Sequence, residues 1–359
     1  MRRIKILYIL AMLSIIMTAF AQDARLSHSF LWKTYYNPAY SAMEDMIEVD
    51  AGFQSTYTQV QTLFMNQQLA ATFPFKIRSS EWGTGLKAYN ERQGGGLYSE
   101  TCVSVPIALR LQLHENTYIQ FGFEPCAYNN RIDKDRMILG DQLDCYYGLV
   151  SGTSTAIDGI NSESVWAADL SLGLFGRTML GRNGYEKPIY LEYGVSAFHV
   201  LGSNSKSFFS KGANELFNKN LYYRRFCGQV EFLHPMGLHH YLPLYFSTYS
   251  IYQHQAGMND IQVGCYTTHN RIGFLGCGFK LEKYKLLTFE NVMIHVGWNH
   301  LVGNSVLMRL AYSYEMPVTQ GNVLETSIHC ISLHFFIDSE RKKGRFKCKW
   351  PSKIKSLGW

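Results

Sequence analysis

Beyond Phe20 the chain has no apolar run long enough to cross a bilayer as a helix, a task that takes roughly 20 consecutive apolar residues. It also has no C-x-x-C pair, no G-x-S-x-G nucleophile elbow and no D-x-D-x-D-G calcium loop. Their absence removes the motif-level case for a zinc or redox centre, an α/β-hydrolase and an EF-hand. Glycines 273, 276 and 278 stand in a strand-like stretch with no helix after them to present amides to a phosphate, so a nucleotide site is discarded. Charge is sparse at 17% of residues and prolines number 9, against 14% aromatic residues and 30 glycines. That balance favours a β-barrel, and if the protein lives in a membrane it must cross it as strands.

The N-terminus has the shape of an export signal. Arg2, Arg3 and Lys5 precede an apolar stretch from Ile6 to Phe20, closed by Ala19-Phe20-Ala21; an A-x-A site predicts cleavage before Gln22 and a signal peptide over 1–21. Export makes disulfides permissible. The eight cysteines nevertheless show no small-scaffold spacing and mostly fall within strand patterns, where a thiol serves as a small, semi-apolar wall residue. The net charge of +6 resides in a C-terminal tail, 338–359. There Arg341, Lys342, Lys343, Arg345, Lys347, Lys349, Lys353 and Lys355 face only Asp338 and Glu340. With the three signal-peptide cations also set aside, residues 22–337 are mildly acidic.

From Ile47 onward the hydrophobic period is two. Ile47, Val49, Ala51, Phe53 and Tyr57 share one face, and Glu48, Asp50, Gln54 and Thr56 the other. Val103 through Leu113 oppose Cys102, Ser104, Ala108, Arg110 and Gln112; Trp166, Leu170, Leu172 and Leu174 oppose Asp169, Ser171 and Gly173. Near the end Met308, Leu310, Tyr312, Tyr314 and Met316 oppose Arg309, Ser313 and Glu315. The pattern predicts an all-β fold: a single antiparallel transmembrane β-barrel of about 14 strands over 47–337, after an N-terminal periplasmic segment, 22–46. The strands fall near 47–59, 64–74, 83–90, 98–113, 117–128, 165–177, 187–200, 222–234, 241–254, 259–268, 271–283, 288–299, 303–316 and 323–337. The long connections are 131–164 and 202–221. Trp32, Tyr35, Tyr36, Tyr146, Tyr147, Tyr222, Tyr223, Tyr241 and Trp298 lie near strand ends, as interfacial girdles require.

Candidate chemistry is thin. Asp133, Asp135, Asp141 and Asp144 read as a solvated loop rather than a calcium site. Histidines 234, 239, 240, 254 and 269 raise a metal hypothesis, yet only 239 and 240 adjoin, and strand neighbours point to opposite faces. Ser196 and His199 form the best local pair for a lipase, but three residues apart on a strand they too should face opposite sides. The expectation is no catalysis, no metal and no cofactor. In an exported protein the basic tail, with Phe346, Trp350 and Trp359 among its cations, suits anionic lipid, cell-wall polymer or an acidic protein better than nucleic acid.

One stretch carries more than composition does. Residues 22–30, followed by Tyr35-Tyr36-Asn37-Pro38-Ala39-Tyr40-Ser41-Ala42, resemble the mature N-terminus of the PorP/SprF family of type IX secretion system membrane proteins. The likeness continues in Trp82-Gly83-Thr84-Gly85-Leu86 to Glu91, in Gly140-Asp141-Gln142-Leu143-Asp144, and in Tyr193-Gly194-Val195-Ser196-Ala197-Phe198-His199-Val200 trailing to Asn204. It ends with Tyr312-Ser313-Tyr314-Glu315 and His334-Phe335-Phe336. Ser203, where the family has a proline region, and the tail beyond 337 depart from it. The resemblance implies a non-enzymatic outer-membrane component of type IX secretion or gliding. Its partners would be outer-membrane lipid, periplasmic secretion-ring lipoproteins, peptidoglycan-associated proteins and adhesin-like cargo. Tyr36, Asn37, Pro38, Ala39, Tyr40, His199 and Asn204 become candidate partner-binding residues, and 35–42 either plugs the barrel or meets a partner. The alternative is a channel for small or hydrophobic solutes.

Overall fold

A computed structural model describes residues 23–57, 62–133, 142–144, 146, 148–149, 164–182, 188–202, 223–237, 243–269, 272–283, 287–302, 306–318 and 327–337. Fourteen antiparallel strands follow one another round a closed barrel. The first five are β1 (Ile47–Tyr57), β2 (Thr62–Ile77), β3 (Ser80–Gln93), β4 (Tyr98–Ser104, resuming as Ile107–His114) and β5 (Thr117–Ile132). Next come β6 (Ser164–Arg182), β7 (Pro188–Phe198), β8 (Arg225–Gly237), β9 (Pro243–Gln255) and β10 (Met258–His269). The circuit ends with β11 (Gly273–Lys283), β12 (Leu287–Val302), β13 (Val306–Pro317) and β14 (Ser327–Ile337). All lie where the alternation places them, including the short third stretch, which extends by three residues at each end, and the tenth, which extends by one at each end. The break in β4 falls at Pro106, which has no N–H to give to a ladder; both halves still lie between β3 and β5.

Closure is made by β1 and β14, paired continuously from Ile47 with Ile337 to Tyr57 with Ser327. Among the fourteen barrel strands no edge is left unpaired, which is the condition lipid imposes, since it offers no partner to an open N–H or C=O; a separate two-residue ladder joins Leu143–Asp144 to Gly148–Leu149 within the long connection. No helix of the described residues is long and apolar enough to cross a membrane.

The wall is inside out relative to a soluble protein. Leu69, Leu86, Val195, Leu275 and Ile331 stand exposed on its outer face, while Asp50, Glu124, Asp169, Glu192, Lys280 and Glu315 are buried on its inner one. The connections 133–163, 199–224 and 318–326 all open at one end, and at the other none is longer than 183–187 or 238–242. Short turns face the periplasm in such barrels, so β1 begins and β14 ends on the periplasmic side.

The lumen is filled by the residues that precede β1. The girdle expectation is therefore corrected at three positions: Trp32, Tyr35 and Tyr36 are buried inside the barrel, whereas Trp298 is half exposed on its outer face. Proximity of 32–36 to the first strand misled the sequence reading, because the chain turns inward rather than along the interface.

Candidate functional site: a segment threaded through the lumen

Residues 23–46 run the length of the barrel, from the short-turn end, where Met46 joins β1, to the long-loop end, where Asp23 lies. Two short helices stiffen the run, α1 (Lys33–Tyr36) and a 3-10 turn, Pro38–Tyr40. Pro38 sits at the first position of that turn, where its missing N–H costs nothing. Asn37 caps it, its Oδ1 accepting from the Ala39 amide at 2.9 Å. The Asn37 side chain also reaches the wall, Nδ2 donating to Leu174 O at 3.0 Å.

The wall makes room for this motif with glycines. A Cβ on Gly173 would lie 2.1 Å from Asn37 Oδ1, one on Gly122 would lie 2.3 Å from the Ala39 nitrogen, and one on Gly83 would lie 2.1 Å from Ser41 O. On Gly194 it would meet Asn37 Nδ2 at 2.7 Å. Four strands thus lack side chains where the Asn-Pro-Ala turn rests. The fragments that carry the family resemblance, Asn37-Pro38-Ala39, Trp82-Gly83 and Tyr193-Gly194, are distant in sequence and meet here.

Charge fixes the segment's position. It carries five charged residues, Asp23, Arg25, Lys33, Glu44 and Asp45, and each faces a wall partner of opposite sign. At the short-turn end Arg110 Nη1 lies 2.8 Å from Asp45 and Arg177 Nη2 lies 2.6 Å from Glu44. Midway, Lys33 Nζ lies 2.7 Å from Glu192 and also contacts Glu231. Towards the long loops Arg25 lies 3.3 Å from Glu290, and Asp23 lies 3.2 Å from Arg225. A buried charge left unpaired costs several kcal/mol (about 3–5), so this complementarity selects one register of segment against wall.

Aromatic contacts fill the remainder. Phe30 stacks on Tyr249 and Tyr266 with centroids 5.2 and 4.6 Å apart, and Tyr40 lies 4.2 Å from Phe175. Arg225 lies over Tyr35 at 4.7 Å and over Phe198 at 4.1 Å. Tyr36 is enclosed, its backbone oxygen accepting a 2.5 Å hydrogen bond from Ser196 Oγ.

His199 is the latch at the long-loop end. Its Nε2 lies 2.9 Å from Asp23 Oδ2 and its Nδ1 lies 2.9 Å from Asp169 Oδ2. Two ring nitrogens that both face carboxylates both carry protons, so the ring is an imidazolium. Burial works against that charge, but Asp23 and the two carboxylate hydrogen bonds outweigh it and raise the pKa to about 10. Burial likewise opposes ionisation of Asp23, and His199 with Arg225 overrides it, holding the carboxyl well below its usual range.

The expected opposition of Ser196 and His199 is corrected: both point into the lumen. His199 follows the last residue of β7 and has φ 57°, a left-handed turn that breaks the two-residue alternation. They still form no dyad, since Ser196 bonds Tyr36 O and His199 bonds two aspartates.

Of the sequence-predicted residues, Tyr36, Asn37, Pro38, Ala39 and Tyr40 lie together against β5 to β7, and His199 meets the same segment at its other end. Asn204, the signal peptide, the basic tail with Arg341, Lys342, Lys343, Arg345, Lys347 and Lys349, and His239 and His240 lie outside the described residues. The sequence reading missed Arg110, Arg177, Glu192 and Glu231 as partners of the segment, and Gly122 and Gly173 as its seat. Arg110 and Gly173 already stood on the wet face of their strands, and that isolation of charge or glycine among apolar alternates was the available signal.

A closed meander of fourteen strands, apolar outside and polar inside, defines an outer-membrane β-barrel, here with its lumen occupied by its own N-terminal segment. A family model described as type IX secretion system membrane protein PorP/SprF matches residues 18–335. The chain belongs to that family, and it is an outer-membrane component of type IX secretion with partners inside that system. No curated protein matches it. Among solved structures it is similar to the Pseudomonas putida toluene transporter TodX, with 10% identity over 89% of this chain and 96% of that one, TM-score 0.46. The Ralstonia pickettii toluene transporter TbuX shares 11% identity over 85% and 92%, TM-score 0.46. The β domain of the Bordetella autotransporter BrkA shares 10% over 82% and 99%, TM-score 0.41. At these scores the likeness says nothing of what this chain binds.

Proposed function

We propose that the protein is a non-enzymatic docking and anchoring component. It holds secreted, adhesin-like cargo and the periplasmic machinery, namely secretion-ring lipoproteins and peptidoglycan-associated proteins, to a fixed point in the outer membrane. The observation that carries this reading is the lumen: residues 23–46 occupy it from end to end, with each of their charges matched to the wall. A barrel filled in this way has no route for a folded adhesin. What it offers partners is its two rims and the segments that leave them.

The non-enzymatic part of the reading draws on the same geometry, because Ser196 and His199 are both spent on holding the segment. Two measurements test the proposal. In planar bilayers the full chain should pass no steady current; an open-pore conductance would restore the channel reading. Affinity capture from outer membranes should bring down other envelope proteins of the secretion system, and removal of 339–359 should weaken that retention at low salt while leaving the barrel inserted. Capture of the barrel alone would remove the docking role.

A further inference from the structure

The outer face of the barrel carries two thiols that nothing above accounts for. Cys265 on β10 and Cys277 on β11 are direct partners in the antiparallel ladder, and their Sγ atoms are 3.9 Å apart. Neither is buried. We propose that Cys265 and Cys277 form a disulfide in the mature protein, a cross-strand staple between β10 and β11 set during passage through the oxidising envelope.

Geometry separates this pair from the other proximate one. Directly opposed residues of an antiparallel pair have Cα atoms about 4.5 or 5.5 Å apart, inside the roughly 4.4–6.8 Å that a disulfide spans. Cys102 and Cys126 also lie near each other, but Cys102 pairs with Tyr128 and Cys126 with Ser104, which makes them diagonal neighbours. Diagonal Cα atoms are about 7–8 Å apart, beyond that reach. The inner pair stays reduced while the outer pair closes, by rotation about two Cα–Cβ bonds. Cys227 and Cys330 are buried and stay free.

The staple sits beside glycines: Gly264 faces Gly278 and Tyr266 faces Gly276, and glycine in a strand interior weakens it. Chemically the step is a thiol–disulfide exchange with a disulfide-bearing oxidase of the envelope. One thiolate attacks the oxidase disulfide to give a mixed disulfide, and the second thiolate displaces the oxidase thiol. Two protons and two electrons leave the pair, and the oxidase departs as a dithiol.

The test is a peptide map of full-length protein from outer membranes, with iodoacetamide added to intact cells before lysis to trap free thiols. The expected result is a peptide pair joined through Cys265 and Cys277 that separates on reduction, with Cys102 and Cys126 alkylated only after unfolding and without prior reduction. Carbamidomethyl groups on both Cys265 and Cys277 without reduction would overturn the proposal, as would a Cys102–Cys126 linkage in their place. A second reading uses heat. Wild type should unfold at a lower temperature when dithiothreitol is present, Cys265→Ser should unfold at that lower temperature with or without it, and equal midpoints for reduced and unreduced wild type would also overturn the staple.

Discussion

The two surfaces of the same wall obey different rules. Outward, Leu172 and Leu174 meet lipid, which asks only that a side chain be apolar and places no demand on its shape. Inward, one residue away, Gly173 meets Asn37, and a single methyl group there would collide with the carboxamide. The outer face is a solvation requirement repeated around the barrel. The inner face is a set of particular matches to one segment of the same chain: glycine against backbone, cation against anion, ring against ring. Natural variation that keeps the outer face apolar is cheap, and the specificity of the molecule resides inside.

The sharpest way to break this contrast is to remove the segment. Deleting 23–46 takes Asp45 from Arg110, Glu44 from Arg177, Lys33 from Glu192 and Glu231, and Asp23 from Arg225, and leaves these charges lining an emptied lumen. We expect loss of the folded barrel, read as disappearance of the compact heat-modifiable band on denaturing gels. A deletion that inserts with wild-type stability would show that the inner face is not coded for the segment. Next in size is a neighbouring pair of substitutions. Gly173→Leu should unseat the Asn-Pro-Ala turn and abolish that band, while Leu172→Ala on the outer face should shift the unfolding midpoint only slightly. Equal effects would erase the distinction between the faces.

How far the sequence could be read follows the same division. A period of two is a local property, so every barrel strand was legible from it, including the stretch interrupted at Pro106, whereas the two-residue ladder at 143–149 was not. The wet face was legible too, because Asp50, Asp169, Ser313 and Glu315 stood out against apolar alternates. What faces those residues was not, since the ion pairs join positions far apart in the chain: Lys33 with Glu192, Glu44 with Arg177, Asp23 with His199. Trp32, Tyr35 and Tyr36 read as a girdle because amphipathic aromatics before a first strand look alike whether they stop at the interface or enter the lumen. His199 was misplaced because nothing in its identity marks a left-handed turn. The motif around Asn37 was found by resemblance, and only the structure shows that the resembling fragments touch one another.

A smaller effect is expected where one charge of a matched set is lost. Arg177→Met removes the guanidinium that Glu44 and Glu192 share, Glu192 keeping Lys33 at 2.7 Å, and should cost about 3–5 kcal/mol, as breaking a buried pair does. Restoring balance with Glu44→Gln in the same chain should recover part of that loss in a denaturant titration, since it removes the carboxylate that Arg177 neutralises. Strictly additive losses would mean that Arg177 and Glu44 are not coupled. Asn37→Ala should cost less, about 1–3 kcal/mol, for the Ala39 amide that loses its acceptor.

The smallest effect is set by pH and is confined to the latch at the long-loop end. His199 has a pKa raised to about 10 in the folded chain, against about 6.5 when unfolded. A raised value contributes stability that is fully present below the unfolded pKa and is lost as pH rises through the folded one, so the His199 contribution declines from about pH 6.5 to about 10. Asp23 works the other way: its depressed pKa contributes stability above the usual carboxylate value of about 3.9, and that contribution is lost as pH falls further. The latch is therefore tightest in mildly acidic solution and loosens at both extremes, with the interior pairs Arg177–Glu44 and Arg110–Asp45 left to hold the rest of the segment. Histidine ring NMR on the barrel in detergent should show His199 still protonated at pH 8. His199→Gln should flatten the decline in unfolding midpoint between pH 7 and 10 while leaving the acid side in place. A His199 midpoint near 6.5 would mean that Asp23 and Asp169 do not grip it, and that the segment is held from its periplasmic end alone.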